Sequence, residues 1–200
     1  MRVTQPGRRE RKKAQTRTAL ADAAMRLFTE RGYDEVTVTE VAEAADVSVT
    51  TLFKHFPGGK ESLVFDQDTS QQEALVAAVR DRGAEQSILD ALRTHLKSLH
   101  DYSPVERALL EQLNGLVRRS KSLTEYADRM WLRHEKALAE AIAIEVGVDV
   151  RDVKAQALAR YAIDAHTVAE REDDPRQAID TIFDLLTSGW GDYGKVAAGG

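Results

Sequence analysis

Apolar residues recur at spacings of three and four along most of the chain, which is the period of an amphipathic α-helix. The first such run covers about residues 14–31, where Leu20, Ala24 and Phe28 lie on one face. Gly32 follows directly and provides a C-terminal stop. No segment alternates apolar and polar positions for long enough to predict a β-strand. The pattern therefore predicts an all-α protein.

Two short helices with a tight corner between them are predicted after this first helix. Thr37 is followed three residues later by a glutamate, the spacing of a capping box, and it opens a helix that ends near Asp46. Ser48 can cap the next helix, at residues 49–55. The sequence Pro-Gly-Gly at residues 57–59 then interrupts the chain.

The rest of the chain is predicted to be helical, with breaks at glycine, proline, serine and aspartate residues. Six further helices are expected, at about residues 60–82, 85–101, 104–119, 121–146, 151–172 and 175–190. No internal repeat of fixed period is evident, which argues against a helical solenoid. The sequence therefore predicts a C-terminal bundle of about six helices.

The composition is that of a globular protein able to bury a core, because 42% of the 200 residues are hydrophobic and 30% are charged. No window approaches 18 consecutive apolar residues, and the basic N-terminus has no apolar stretch behind it. We therefore expect no membrane span, no secretory signal and a cytoplasmic location. The absence of cysteine excludes a disulfide framework and fits a reducing compartment.

Charge is distributed unevenly along the chain. The formal net charge is -5, yet residues 1–60 hold 11 Lys and Arg residues against 8 Asp and Glu residues. Seven of those basic residues, against Glu10 alone, lie within residues 1–17. A basic arm of this kind is expected to meet a polyanion, although a solvated tail has the same composition.

Catalytic and metal-binding patterns are absent from the sequence. There is no GxSxG, HExxH or GxGxxG motif and no phosphate-binding glycine loop. The five histidines lack metal-ligand spacing. We therefore predict no catalytic residue, no metal site and no cofactor, and an all-helical enzyme is the least favoured alternative.

Residues 17–65 resemble the DNA-binding domain of the TetR (tetracycline repressor) family of transcriptional regulators. The matching pieces occur in the family's order: Arg17, Ala-Ala at 23–24, Leu-Phe at 27–28, Gly-Tyr at 32–33, TVTEVAEAA at 37–45, Val-Ser at 47–48, LFKHF at 52–56 and KESL at 60–63. The resemblance implies a helix-turn-helix whose second helix enters the major groove of DNA. It also implies a basic arm and DNA-binding domain over residues 1–60, and a ligand-binding and dimerisation domain over residues 61–200.

Three positions depart from the family's usual pattern. Asp46 stands where glycine is usual at the corner, a position that needs a left-handed backbone conformation, which aspartate tolerates at some cost. Phe53 stands where tyrosine is usual and lacks a hydroxyl that could reach a phosphate. The segment before Lys60 is one residue longer than usual, which shifts the point from which this lysine could reach the DNA backbone.

The candidate DNA contacts divide into two groups by their chemistry. The first group suits phosphates, which fix the register of the protein and supply salt-dependent affinity. It comprises the basic arm and Arg17, Thr37, Phe53, Lys54, His55 and Lys60. The second group offers hydroxyl or methyl groups to base edges. It comprises Thr39, Val49, Thr50 and Thr51. Ser48 is also expected to face outward, whereas Leu52 and Phe56 are expected to face the core.

The C-terminal domain is expected to form the homodimer that a double-stranded DNA operator with two half-sites requires. Small and large apolar residues on the last two helices are the candidate dimer contacts. They are Leu158, Tyr161, Ala162, Ala165, Ala169, Ile179, Ile182, Phe183, Leu186 and Trp190. The alternative is that these residues pack within their own subunit.

Aromatic and polar residues on apolar faces of the middle helices suit a pocket for a small-molecule effector of unknown identity. The candidate ligand residues are Phe65, His95, Leu99, Leu113, Tyr126, Met130, Trp131, His134 and His166. For each histidine, a core or surface role is the alternative. The sequence thus predicts a repressor that its effector releases from a palindromic operator, and a DNA-binding dimer without ligand sensing is the alternative.

Overall fold

The computed structural model describes residues 7–189, apart from the side chain of Pro104. Its helices are α1 (Arg8–Arg31), α2 (Val38–Ala44), α3 (Val49–His55), α4 (Glu61–Val64), α5 (Asp68–Arg80), α6 (Ile88–Ser98), α7 (Pro104–Arg119), α8 (Lys121–Val146), α9 (Val153–Ala169) and α10 (Pro175–Ser188). No β-strand occurs between residues 7 and 189, so the predicted all-α fold class is confirmed. In that same range, no helix has both the length and the apolar character needed to cross a membrane.

The chain packs into two compact units, each with its own buried core. Unit 1 combines the described chain up to Thr69 with residues 104–130, and unit 2 combines residues 70–103 with the described chain from Trp131 onward. The first part of α8 therefore belongs to unit 1 and its remainder to unit 2. Unit 1 extends beyond residue 60, and the functional division predicted between residues 60 and 61 stays a prediction.

The core of unit 1 is built from residues that the helical spacing places on one face. Leu20, Ala24 and Phe28 of α1 are at most 1% exposed. They belong to one cluster with buried apolar residues of α2, α3, α4, α7 and α8. These are Val41, Ala42, Leu52, Leu63, Val64, Leu116 and Leu123. Burial of a large aliphatic or aromatic side chain stabilises a fold by roughly 1.5–3 kcal/mol, so this cluster holds the short helices in place.

The ends of α2 and α3 are capped as the sequence predicts. The Thr37 hydroxyl oxygen accepts a hydrogen bond from the Glu40 backbone N–H (3.2 Å), and the Glu40 carboxylate accepts one from the Thr37 N–H (2.8 Å). The Ser48 hydroxyl oxygen accepts one from the Thr51 N–H (3.1 Å). Asp46, in the corner between the helices, has a φ of 54°. The capping box and the left-handed corner are therefore both confirmed.

The single helix predicted at residues 60–82 is wrong, because the structure divides this segment into α4 and α5. The chain leaves the helical conformation at Phe65, where φ is −102° and ψ is 48°. No proline or glycine marks this break in the sequence. Contacts with distant residues stabilise it: Arg17 binds Asp66, and the Phe65 ring stacks on the Tyr126 ring at 5.0 Å.

The first helix begins at Arg8, about six residues before the predicted start. Residues 8–13, interpreted from the sequence as part of a basic arm, are helical and exposed. At 1.5 Å per residue they lengthen α1 by about 9 Å. They carry charge without apolar periodicity, so the pattern of apolar residues did not indicate this turn and a half of helix. The five helices α6 to α10 begin and end within three residues of their predicted limits.

The core of unit 2 centres on the alanine-rich helix α9. Five alanines of this helix are at most 4% exposed, namely Ala155, Ala159, Ala162, Ala165 and Ala169. They share a cluster with Leu92 of α6, Leu138 of α8 and Phe183 of α10. Because alanine side chains are small, neighbouring helices of the same subunit can approach α9 closely.

Candidate functional site

Helix α3 presents an exposed polar face opposite a buried apolar one. Thr50, Phe53 and Lys54 are exposed at positions i, i+3 and i+4 of the helix, and Phe53 keeps 45% of its surface accessible. On the other side, Leu52 and Phe56 are at most 1% exposed and belong to the core of unit 1, as predicted. The helix is thus fixed by one face while the other is open to a partner.

Several candidate contacts at the starts of α2 and α3 already have hydrogen-bond partners. The Thr37 hydroxyl donates to the Glu40 carboxylate (2.8 Å), and the Ser48 and Thr51 hydroxyl oxygens lie 2.9 Å apart. The Thr37 backbone N–H and the Arg31 guanidinium lower the pKa of Glu40 to about 2. A phosphate at the start of α2 would therefore meet an ionised carboxylate.

The two remaining candidate base contacts differ in their exposure. Thr39, on the first turn of α2, is exposed. Val49, at the start of α3, is half-buried and packs against the core of unit 1. Thr39 and Thr50 are therefore the candidate base contacts with the most accessible side chains.

Arg17 on α1 contacts the end of α3 and the segment after α4. Its Nη1 donates to the His55 carbonyl oxygen (2.6 Å), and its Nη2 donates to the Asp66 carbonyl oxygen (3.1 Å). The guanidinium forms an ion pair with the Asp66 carboxylate and lies 4.4 Å above the centre of the Phe56 ring. This candidate phosphate contact is thus extensively bound within unit 1.

The Lys60 ammonium is also bound within unit 1. It donates to the Tyr33 carbonyl oxygen and lies 4.0 Å from the centre of the Tyr33 ring and 5.7 Å from that of Phe28. Burial lowers the pKa of Lys60 despite nearby acidic residues, of which Asp34 contributes most in the opposite direction. The predicted phosphate contact of Lys60 stays a prediction, and it would require this ammonium to leave the Tyr33 carbonyl.

Positive charge from α1 lies beside the C-terminal end of α3. Burial lowers the pKa of His55 below its ordinary 6.5, and the charges of Arg17 and Lys13 lower it further. Lys54, the neighbouring residue, is exposed. Lys13, in the helical extension of α1, therefore lies close enough to act on the C-terminal end of α3.

The start of α8 is hydrogen-bonded to the first helices of unit 1. The Ser120 hydroxyl donates to the Asp34 carboxylate (3.1 Å), and the Ser122 hydroxyl donates to the Glu61 carboxylate (2.7 Å). Burial, and then the charge of Glu61, raises the pKa of Tyr33 above its usual range. These contacts connect the corner between α7 and α8 to the segment between α1 and α2 and to the start of α4.

The candidate ligand residues of unit 1 are only partly brought together. Phe65 and Tyr126 form a parallel stack with ring centres 5.0 Å apart. Leu113 packs against the core of unit 1, and Met130 is 3% exposed. The structure thus joins the two aromatic residues directly.

In unit 2 the candidate ligand residues form an aromatic and histidine cluster. The Trp131 ring centre lies 5.2 Å from those of His134 and His166. His166 Nδ1 lies 3.3 Å from His100 Nε2, so one nitrogen donates and the other accepts. Burial, and then the charge of His95, lowers the pKa of His166 to about 4. The His166 ring is therefore neutral at physiological pH.

Two further candidates belong to unit 2. Burial lowers the pKa of His95, and Leu99 packs against the unit core. Among residues 7–189, no group of three or more histidine or acidic side chains could hold a metal ion. The cluster is thus an arrangement of aromatic rings in which the buried His166 is neutral.

Comparison with known proteins identifies the family. The model for bacterial regulatory proteins of the tetR family matches residues 20–66. The HTH-type transcriptional regulator TcmR of Streptomyces glaucescens is 35% identical over 153 residues, which are 74% of this chain and 67% of TcmR. The chain belongs to the TetR family.

Two solved structures share the fold. Thermus thermophilus FadR, a TetR-family transcriptional repressor in complex with lauroyl-CoA, is 26% identical with a TM-score of 0.55, over 92% of this chain and 100% of FadR. Salmonella enterica GusR is 21% identical with a TM-score of 0.58, over 86% of this chain and 94% of GusR. As a TetR-family member, the protein is a transcriptional regulator.

Five of the ten candidate dimer residues of this TetR-family regulator are buried inside their own subunit. Ala162, Ala165, Ala169, Ile179 and Phe183 are at most 2% exposed and belong to the core of unit 2. Tyr161 is 54% exposed, and three others are half-buried. These three are Leu158, Ile182 and Leu186. Trp190 lies outside the described residues.

Sequence reasoning missed two residues of this regulator that the structure places in the candidate sites. His100 lies in the histidine cluster, and Asp66 pairs with Arg17. Neither belongs to an apolar stripe, and their partners are 66 and 49 residues away. The only sequence signal for His100 is that four of the five histidines fall between residues 95 and 166.

Proposed function

We propose that this TetR-family regulator is a repressor that binds a palindromic operator as a homodimer and is released by a small-molecule ligand. The exposed face of α3 carries the proposal, because Thr50, Phe53 and Lys54 project from a helix whose other side lies in the core of unit 1. The DNA major groove, about 12 Å wide, admits one helix, and short polar or cationic side chains suit its base edges and rims.

Base reading is assigned to the threonines and backbone binding to the cations. Thr50 and Thr39 are exposed, and threonine can exchange hydrogen bonds with base edges or contact a thymine methyl group. Lys54 and the exposed basic extension of α1 would contact phosphates on either side. The face of α3 has no arginine to form a two-bonded contact with guanine, so we expect moderate discrimination at each base pair.

A palindromic operator requires two DNA-binding domains related by two-fold symmetry. Helix α9 offers a surface for the second subunit. Tyr161 and Val168 are 54% and 47% exposed on this helix. Leu158 on the same helix and Ile182 and Leu186 on α10 are half-buried. The proposed dimer surface therefore uses these residues, while the buried alanines of α9 support it from within the subunit.

The cluster around Trp131 is the proposed ligand site. His100, His134 and His166 bring buried polar rings together, and Trp131 adds a large aromatic side chain. We expect a small, largely apolar or aromatic ligand with one or two hydrogen-bonding groups. The relative FadR, 26% identical, was solved with lauroyl-CoA, which supports ligand binding in this fold.

A ligand can release the protein from DNA only if it binds more tightly to one arrangement of the two DNA-binding domains than to the arrangement that fits the operator. Coupling of the usual size, roughly 1–3 kcal/mol, would weaken DNA binding about 5–150-fold. Within unit 1, the Ser122–Glu61 hydrogen bond (2.7 Å) links the start of α8 to α4. We propose this link as part of the route by which a change in α8 reaches the DNA-binding helices.

Selection from a library of random duplexes tests DNA recognition. The protein should enrich a two-fold symmetric sequence with half-sites about one helical turn, roughly 34–36 Å, apart or a multiple of it. The double variant Thr50→Ala with Lys54→Ala should lose this enrichment. Thr29→Ala, an exposed threonine near the end of α1, serves as the matched control and should retain it. Enrichment of no symmetric sequence would contradict the proposal.

A panel of small organic molecules, screened by thermal shift, tests ligand sensing. The compound that most raises the melting temperature is then titrated with and without the selected duplex. By reciprocity, the duplex must lower the protein's affinity for the compound by the same factor by which the compound lowers its affinity for the duplex. Equal affinities in the two titrations would instead indicate a DNA-binding dimer without ligand sensing.

A further inference from the structure

Arg17 occupies an unusual position for a candidate DNA contact, because its guanidinium is surrounded by acceptors of its own subunit. Both Nη atoms donate to carbonyl oxygens, those of His55 and Asp66. The Asp66 carboxylate supplies the counter-charge, and the ring of Phe56 supports one face of the guanidinium. The side chain keeps 41% of its surface accessible, so it lies at the edge of the protein without projecting from it.

These acceptors belong to two different segments of unit 1. His55 is the last residue of α3, and its carbonyl oxygen lies where a helix leaves its acceptors unpaired. Asp66 lies in the non-helical segment between α4 and α5. A cation at the C-terminal end of a helix is favourable because of the helix dipole. Arg17 therefore connects the end of α3 to the segment that follows α4.

We propose that Arg17 is a positioning residue, which fixes the end of α3 against the segment after α4, and that Asp66 is its counter-ion. In this role Arg17 forms no ion pair with a DNA phosphate. The inference rests on the proposed DNA-binding function and assigns a new role to two residues of it. A displacement of Asp66 would reach α3 directly through this pair.

The buried oxygen of Asp66 strengthens the assignment. Its Oδ1 is inaccessible to solvent and has no aligned hydrogen-bond donor among residues 7–189, so the Arg17 guanidinium compensates its charge as an ion pair. If Arg17 turned toward a phosphate, this oxygen would lose its counter-ion and the His55 carbonyl its donor. Burying an uncompensated charge is unfavourable, which favours keeping the pair intact.

The two possible roles of Arg17 make opposite predictions for Asp66→Asn. If Arg17 contacts a DNA phosphate, loss of the competing Asp66 carboxylate would free its guanidinium, and DNA binding would become stronger. If Arg17 is a positioning residue, it would lose its counter-ion, and DNA binding would become weaker. The salt dependence separates the roles again, because each phosphate that a protein neutralises contributes about 0.9 to the slope of log affinity against log salt.

The experiment measures the affinity of the full chain for its selected duplex between 50 and 200 mM salt, a range in which phosphate contacts change affinity strongly. The variants are Arg17→Gln, Asp66→Asn and the double variant. Two controls remove one positive charge elsewhere. Lys54→Gln removes a cation from the exposed face of α3, and Arg26→Gln removes an exposed arginine of α1 that pairs with Glu30.

Arg17→Gln is expected to weaken binding about tenfold at every salt concentration, because a charged donor to two carbonyl groups is lost. Its salt slope should match that of Arg26→Gln, whereas Lys54→Gln should lower the slope by about 0.9. Asp66→Asn should weaken binding roughly two- to fivefold, and the double variant should be no weaker than Arg17→Gln alone. A fall in slope for Arg17→Gln equal to that for Lys54→Gln, or unchanged or stronger binding by Asp66→Asn, would overturn the proposal.

Amide hydrogen exchange tests the same pair in the free protein, so that it remains decisive if no operator is found. The Phe56 N–H donates to the Leu52 carbonyl oxygen (2.8 Å) at the end of α3, and the Ala45 N–H donates to Val41 (3.1 Å) at the end of α2. Arg17→Gln and Asp66→Asn should each speed exchange at Phe56 several-fold and leave Ala45 unchanged. Equal exchange at Phe56 in wild type and both variants would overturn the positioning role, whereas failure of duplex selection alone would count against the DNA-binding function.

Discussion

Acidification should destabilise this protein through one buried histidine, His166. The residue is 7% exposed, and its ring centre lies 5.2 Å from those of His100 and Trp131. Burial, and then the charge of His95, lowers the pKa of His166 from its ordinary 6.5 to about 4. The unfolded chain therefore takes up a proton on this residue at a higher pH than the native protein does.

The sign of the effect follows from this difference in proton binding. Between pH 6.5 and about pH 4 the unfolded state binds more protons at His166, so the free energy of unfolding falls as the pH falls. The full contribution is present above pH 6.5 and is lost as the pH falls through the native pKa. At pH 5 the difference between the two pKa values corresponds to a loss of about 2 kcal/mol.

Glu170 is the charged neighbour that acts in the opposite direction. Its Oε1 lies 3.6 Å from His166 Nε2, and burial raises the pKa of Glu170. A raised native pKa of a carboxyl group stabilises the native protein as the pH falls. The contribution of His166 must therefore be obtained by comparison with variants that lack its titration.

The assay is urea unfolding at pH 7.5 and pH 5, followed by far-ultraviolet circular dichroism. The protein concentration is fixed because the proposed dimerisation would affect apparent stability. His166→Gln keeps a hydrogen-bonding group for His100, and His166→Phe keeps the ring volume. Wild type should lose about 2 kcal/mol more than either variant between the two pH values. If wild type and both variants lose the same stability, the reasoning on His166 is refuted.

Three further predictions concern the DNA-binding helices. Thr50→Ala should alter the sequence enriched by duplex selection at a cost of about 1–3 kcal/mol or less at one base position, and an unchanged sequence and affinity would contradict the orientation of α3. Thr37→Ala should lower the free energy of unfolding by about 1 kcal/mol, because the capping box is lost, and thermal melting against Thr39→Ala as control checks this. Asp46→Val should be less stable than Asp46→Gly by about 1–2 kcal/mol, because the backbone there is left-handed, and equal urea midpoints for the two variants would argue against that conformation.

The sequence by itself determined the features that depend on neighbouring residues. The three- and four-residue spacing of apolar positions predicted the all-α fold, and the structure follows it. The capping residues Thr37 and Ser48 placed the starts of α2 and α3, because a cap needs only a side chain and a backbone N–H a few residues away. The motif that resembles the TetR family also lies within one continuous segment, which is why the DNA-binding helices could be predicted.

Only the tertiary structure decided where the long side chains point and where the chain breaks without a local signal. The break at Phe65 depends on Arg17 and Tyr126, which come from other helices of unit 1. Lys60, predicted at the DNA backbone, donates to the carbonyl oxygen of Tyr33, 27 residues earlier. The acceptor that such a cation finds depends on how distant segments pack together, and the spacing of residues along one helix does not contain that information.

The same reason explains the histidine cluster and the dimer candidates. His100 and His166 meet across 66 residues of chain, and only the packing of unit 2 places their rings together. The alanines of α9 form a stripe that the sequence could assign equally to a partner or to its own subunit. In the structure these alanines are buried against α6, α8 and α10, which the spacing along α9 alone could not show, because small side chains suit close helix packing on either side of a subunit boundary.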